Sequence, residues 1–374
     1  MTAFGELDLS VSVYTTILFR KVRQKGAVAP ISEAKRFYDR VVRKFGLSLR
    51  VPISEYVHSE GPHTATLPYL KPSDLLRTLL SDYSFLLFGG CSEPDDDIEK
   101  LLLSFWRAYQ VEHPEHEVFK NPERLNRTFP ITVHGDGGRT QKKQPLEIFS
   151  LQPVLGLNTA SKSMQCRCSA SVGFGGTDLG DPFAQHLNSK YSTFLTHFLI
   201  WAFPRKQYSN FDDILTGFLQ EAMDDLGSAC SQGIPSKSGT IFYPCCIGFK
   251  LDMEWMAKVG TLTRSYQNVG HVNAKACCAE CDAGIVGVPF EDMNTTAAWI
   301  RTRFNTIPWQ HTPPWSNIPF DLDKPAKFLR RDSFHIFRLG ISRNFLASSI
   351  YLLIYMGCPS FSQAFFPFSH PQHC

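Results

Sequence analysis

The sequence predicts a mixed α/β core, preceded by a mainly helical region and interrupted by an irregular segment rich in cysteine and tryptophan. Three observations carry this. Residues 129 to 140, FPITVHGDGGRT, set Phe129, Ile131 and Val133 in alternation with Thr132 and His134, the two-residue period of a strand with a buried face. A helical stretch, NFDDILTGFLQEAMDDLGSAC, separates it from a second apolar strand candidate, IFYPCCIGF. Between residues 260 and 330 regular periodicity gives way to a cysteine cluster, Trp299, Trp309, Trp315 and the proline-rich TPPWSNIPFDLDKP.

The 374 residues suit two domains, or one domain with a large insertion. With 43% hydrophobic and 20% charged residues the composition is that of a core-forming chain, not a disordered one. A formal charge of +3 does not announce a nucleic-acid partner, so any such partner has to be met by a local patch. Eleven cysteines, several in CC or CxxC clusters behind a start with no secretory leader, favour a reducing compartment with buried thiols or metal ligands. The most apolar segment, Phe345 to Met356 (FLASSIYLLIYM), has about a dozen residues against the roughly 20 that a membrane span needs. A buried helix and no membrane partner are expected.

Taken in order, residues 1–124 are read as the helical region. ISEAKRFYDRVVRKFGL is a helix with Ser32 as N-cap, Gly46 as its stop and Phe37, Val41 and Phe45 on one face. Residues 61 to 72 (GPHTATLPYLKP) read as a proline-rich loop, Ser73 as the cap of SDLLRTLLSDYSFLLF, and Asp95 to Gln110 as a helix with an acidic first turn. Residues 125–259 form the core: the strand from Phe129, a partner over Leu146 to Leu155, a third apolar run around Cys168 to Phe174, and an apolar stretch from Ser192 to Phe203. After these come a helix capped by Asn210, with Phe211, Leu215, Phe218, Ala222 and Leu226 on one face, and the strand Ile241 to Phe249. Residues 260–331 are the insertion, 332–356 a helix opening on Asp-x-x-His, and 357–374 an irregular tail.

Three constellations bear chemistry. Asp136 and Asp252 each sit where an apolar strand candidate ends, and carboxylates at the ends of neighbouring strands can hold two divalent cations about 4 Å apart. Mg²⁺, or Mn²⁺ in its place, suits so sparse an oxygen site. Glycines beside Asp136 leave room for a backbone phosphate, and Arg139, Lys142 and Lys143 supply cations to meet it. The same letters have ordinary uses: Asp-Gly closes turns, and an Asp before MEWMAK caps a helix. In HVNAKACCAECDAG, Cys278 and Cys281 make half of a tetrahedral zinc site, with His271, Cys277 and the distant pair Cys245 and Cys246 as candidates for the rest; buried thiols are the plain alternative. In RRDSFHIFRLGISRNF, Asp332 and His335 lie one helical turn apart. His197 is read as a core histidine, and VGFGGTDLG lacks the strand-to-helix context of a phosphate loop.

In order, HGDGGRT, LDMEWMAKVGTLTRSYQNVG with CCAECDAG, and DSFHIFRLGISRNFLASSIYLL resemble the core of CACTA-type (En/Spm-like) DDE transposases over roughly residues 125 to 355. The resemblance implies an RNase H-like mixed sheet flanked by helices. It implies Asp136 and Asp252 as first and second Mg²⁺ ligands, Cys278 and Cys281 as the thiol pair, and Asp332 with His335 as the signature beyond the second Asp. The implied activity is metal-dependent DNA cleavage and strand transfer at transposon ends in the nucleus, with an oligomeric state that the sequence leaves open. Two features depart from the pattern. Glu254 and Trp255 stand where many relatives have proline or alanine, and the third acidic ligand has no candidate at a strand end, Glu291 and Asp332 being the nearest proposals. A truncated or decayed copy is therefore expected. A catalytically inactive DNA- or protein-binding module, and a nuclease on the same fold, are the alternatives.

Overall fold

The computed structural model describes residues 49–60, 63–93, 97–139, 145–155, 197–204, 211–251, 253–268, 276–305, 307–331 and 343–355. The chain divides into two compact units, Met1–Arg330 and Arg331–Cys374. The expected helix over residues 31–47, the apolar run near residue 170, the residues from Asp332 to Ser342 and the tail from Met356 lie outside the described residues.

The first unit is mixed α/β. A mixed sheet runs in the order β5 (Phe198–Pro204), β4 (Pro145–Pro153), β3 (Thr128–Arg139), β7 (Ile241–Leu251) and β6 (Ile234–Pro235), with β8 (Leu329–Arg331) pairing β7 off this path. β3 pairs β4 antiparallel and β7 parallel, and β4 pairs β5 antiparallel. A parallel partner needs a long crossover. Here it contains the helix Phe211–Gln232, whose buried face includes Leu215, Phe218, Ala222 and Leu226, as its period predicts. Phe218 stacks on Trp201 of β5 at 4.4 Å between centroids and meets Phe149 of β4 edge-on at 6.3 Å, so one helix face closes the sheet's antiparallel half.

Among its described residues, the N-terminal region is less helical than expected. Residues 63–69 are not loop: β1 (Ser54–Glu60) and β2 (His63–Tyr69) form an antiparallel hairpin, with Leu67 and Tyr69 fully buried. Helix α1 (Pro72–Asp82) starts on Pro72, whose fixed φ and missing N–H suit a first turn. Ser73 does not cap it. Its hydroxyl and amide both donate to Asp225, at 2.8 Å each, tying α1 to the crossover helix, here α3. Helix α2 (Asp97–Glu112) buries Leu101, Leu102, Phe105 and Trp106, and the Trp106 indole donates to the Thr128 carbonyl at 2.7 Å, anchoring the start of β3.

After β7 a short helix, α4 (Met253–Val259), leads into the cysteine- and tryptophan-rich segment. Three 3₁₀ turns, isolated bridges and, at its end, β8 make up its regular structure among the described residues. It is nonetheless packed into the core: Trp315 is fully buried, 4.8 Å from the Phe249 ring of β7, with Phe328 at 6.0 Å from that same ring. In the second unit, α5 (Arg343–Tyr355) exposes Phe345, Leu346, Tyr351, Leu352 and Tyr355, so the expected burial of this apolar helix is not met among its described contacts. Among the described residues, no helix is long and apolar enough to cross a membrane.

Candidate functional site

Parallel pairing sends β3 and β7 in the same direction, so their carboxyl ends lie together, where open α/β sheets place their ligand sites. The register sets Gly135 beside Leu251, and Asp136 and Asp252 are the residues that follow them in the sequence. Asp136 itself is on β3 and half-buried. Asp252 lies outside the described residues, as do Lys142, Lys143, His271, Asp332 and His335. Arg139 is the last residue of β3.

The two faces of this strand end differ in character. Side chains alternate, so Gly135 and Gly137 share one face while His134 and Asp136 share the other. On the glycine face a Cβ at Gly135 would enter the Trp255 indole and come within 2.9 Å of Leu251. A Cβ at Gly137 would stand 3.3 Å from the Glu147 carboxylate. The indole nitrogen of Trp255, on α4, donates to Glu147 Oε2, and Glu147 faces Gly137 across the β3–β4 register. Both side chains are buried. Internal packing, not phosphate clearance, accounts for the missing side chain at 135.

The opposite face is polar. Lys250 pairs with His134 across β3–β7, and Gln152 pairs with Thr132 across β3–β4. The Lys250 ammonium donates to Gln152 Oε1 at 2.9 Å, spanning the width of β3. His197, just before β5, holds its ring edge-on to His134 at 6.3 Å. Thr132, Ser150 and Gln152 belong to the same polar face and are buried. None of these partners was singled out from sequence except His197, and that as a core residue. The available signal was the even spacing of Thr132, His134 and Asp136.

The cysteine cluster folds as a tight turn. The amide of Glu280 donates to Cys278 Sγ at 3.4 Å, and the Cys277 thiol donates to the Ala283 carbonyl at 3.4 Å. Arg264 anchors the turn, pairing with Asp282 at 2.6 Å and donating to the Cys281 carbonyl at 3.0 Å. Burial, with neighbouring Cys278 and Glu280, pushes the Cys281 thiol up to about 11, and burial and Cys278 push Cys277 up as well. Metal binding would have to overcome this preference for the protonated thiol. Cys245 and Cys246 lie inside β7, where burial pushes both thiols up, Cys246 to about 12. Among the described residues, no group of three or more His, Cys, Asp or Glu side chains is arranged to hold a metal ion.

A second buried polar knot joins α2 to the segment before β8. His113, His116 and Asp321 are each at most 6% exposed. Arg330 donates to His113 Nε2 at 3.3 Å, which leaves the imidazole proton on Nδ1, facing Asp321 Oδ2 in a long contact of 3.4 Å. Asp321 Oδ1 accepts from the amides of Asp323 and Lys324 at 3.1 and 3.0 Å. His116 Nδ1 accepts from the Val118 amide at 3.1 Å, and Tyr109 stacks on His113 at 4.3 Å. Burial, reinforced by the charges of Arg330 and Lys327 against the pull of Asp321, holds His113 down to about 4. Burial and His113 hold His116 down to about 4 as well.

Comparisons with family models, with curated proteins and with solved structures give no match to this chain.

Proposed function

We propose that this chain carries the catalytic core of a CACTA-type DDE transposase on an RNase H-like sheet, with DNA phosphodiesters as substrate. The observation that carries the reading is the parallel β3–β7 register, with Gly135 beside Leu251 and an aspartate following each in the chain. Two more features favour it. β3 is the first strand of its sheet in chain order, as the resemblance asks of the strand with the first Asp, and α4 begins directly after the second.

The donor chemistry fits a hard divalent cation: Asp136 offers carboxylate oxygens at the carboxyl end of a strand, and Asp252 would be its partner ligand. A bound pair of Mg²⁺ or Mn²⁺ ions would activate the attacking oxygen and stabilise the leaving one. The chain's own groups do the rest. Arg139, Lys142 and Lys143 bind the DNA backbone beside the scissile phosphate. Asp332 and His335 are the signature that the resemblance expects beyond the second Asp, and Cys278 and Cys281, with Cys277 and His271, are the groups available to zinc. Water attacks the phosphodiester at an element end, and the freed 3′-hydroxyl then attacks target DNA. Nuclear residence belongs to this reading.

The test is Mg²⁺-dependent nicking of DNA carrying the element's ends, with Asp136→Asn alongside. Nicking by the parent protein and its loss in the variant are expected. Equal activity in both would remove the enzyme and leave a non-catalytic binding module.

A further inference from the structure

We infer that Trp255 and Glu147 are positioning residues that fix the strand end carrying Asp136 against the start of α4, an inference resting on the two-aspartate reading above. The residues on either side of Asp136, Gly135 and Gly137, both turn to the sheet face opposite its carboxylate. The space that each leaves is taken by one member of a single hydrogen-bonded pair, Trp255 at 135 and Glu147 at 137. The pair therefore grips the backbone of Asp136 from below, on both sides. Trp255 also sits in the first turn of α4, which begins at Met253, immediately after Asp252. One contact thus ties the strand of the first aspartate, through β4, to the helix that follows the second.

Packing alone does not require this arrangement. An apolar residue in place of Glu147 would fill the volume without burying a carboxylate, which is favourable only when its oxygens are satisfied. A hydrogen bond fixes direction as well as distance, so the Trp255–Glu147 bond restricts the rotation of α4 about its own axis, where stacking by itself would let it slide. Residues that orient ligands without touching the metal typically change its affinity by about 10- to 100-fold when altered. The departure from the family pattern at Trp255 is then a substitution with a job: the indole reaches a partner that proline or alanine could not.

The experiment measures Mn²⁺ binding to the full chain by electron paramagnetic resonance, which needs no DNA and no turnover, with thermal melting run beside it. Four proteins are compared: the parent, Asp136→Asn, Trp255→Phe and Glu147→Gln. Trp255→Phe keeps the ring over Gly135 but loses the donor, and Glu147→Gln keeps an acceptor. The expected result is Mn²⁺ binding by the parent, its loss in Asp136→Asn, a roughly tenfold weaker affinity in Trp255→Phe with melting still cooperative, and near-parental affinity in Glu147→Gln. If Trp255→Phe binds Mn²⁺ as the parent does while Asp136→Asn does not, the positioning role is overturned and the two-aspartate site stands. If the parent binds no Mn²⁺, or Asp136→Asn binds as well as the parent, the site itself falls and the positioning role with it.

Discussion

Two buried polar knots hold this protein together, and they differ in what surrounds them. Glu147 and Trp255 meet across 108 residues of chain at the carboxyl end of the sheet, directly under Asp136. His113, Asp321 and Arg330 meet across as many as 217 residues and join α2 to the segment preceding β8. The first is built on a donor–acceptor pair set against two glycines, and its geometry bears on one half-buried carboxylate. The second is a network of titratable groups packed on Tyr109, and it reinforces the isolated backbone bridge between His116 and Asp321. Buried polarity here serves placement in one region and attachment in the other, so the two should fail differently.

Acid should separate them most. His113 and His116 titrate near 4 in the folded protein against an ordinary 6.5, so the unfolded chain takes up protons first as pH falls. Stability contributed by the neutral imidazoles is complete above about 6.5 and is lost progressively down to about 4, a fall of a few kcal/mol. Urea melts at pH 7, 5.5 and 4.5 measure it. A His113→Gln, His116→Gln double variant should flatten the profile, and an unchanged slope would show that the knot does not govern acid sensitivity.

Asp321→Ala comes next. It strips the acceptor from two backbone amides and leaves the His113 Nδ1–H facing an emptied site, at a cost of about 3 kcal/mol at pH 7. Denaturant titration should show the loss with Mn²⁺ binding unchanged. In the other knot, Gly135→Ala forces a methyl group into the Trp255 indole, at about 2 kcal/mol. Here stability and metal binding should fall together, and a loss of stability alone would blur the contrast. The smallest effect belongs to the surface: Arg77→Ala removes an exposed i,i+3 pair with Asp74 and should move stability by less than about 0.5 kcal/mol.

Local periodicity was legible where one element alone decides the outcome. The alternation of Phe129, Ile131 and Val133 gave β3, and the spacing of Leu215, Phe218, Ala222 and Leu226 gave α3. β2 was hidden by Pro68 within it and by Pro62 and Pro72 on either side, although Ala65, Leu67 and Tyr69 alternate as a strand should; a hairpin edge tolerates Pro68 because that side needs no ladder donor. Ser73 carried a cap's sequence signature, but its partner, Asp225, lies 152 residues away, and Pro72 had already started the helix. The site was half legible. A carboxylate at a strand end shows in the lettering, whereas the claim of Trp255 and Glu147 on the space beside Gly135 and Gly137 does not, because it depends on which strands are neighbours. The irregular 260–330 segment was foreseen as irregular, yet its anchoring through Trp315 on Phe249 has no periodic trace.

The central strand of the sheet also carries a hazard during synthesis. β3 can take β4 as a neighbour within a few residues of being made, but its other edge waits for Ile241–Leu251, more than a hundred residues later. At the synthesis rates usual for ribosomes, about 5–20 residues per second, that edge stands open for on the order of ten seconds. A bare edge of this kind invites pairing with another nascent chain. Partial translation products that stop before Ile241 should therefore be far more prone to aggregate than those that run past Leu251, and chaperone demand should drop once β7 emerges.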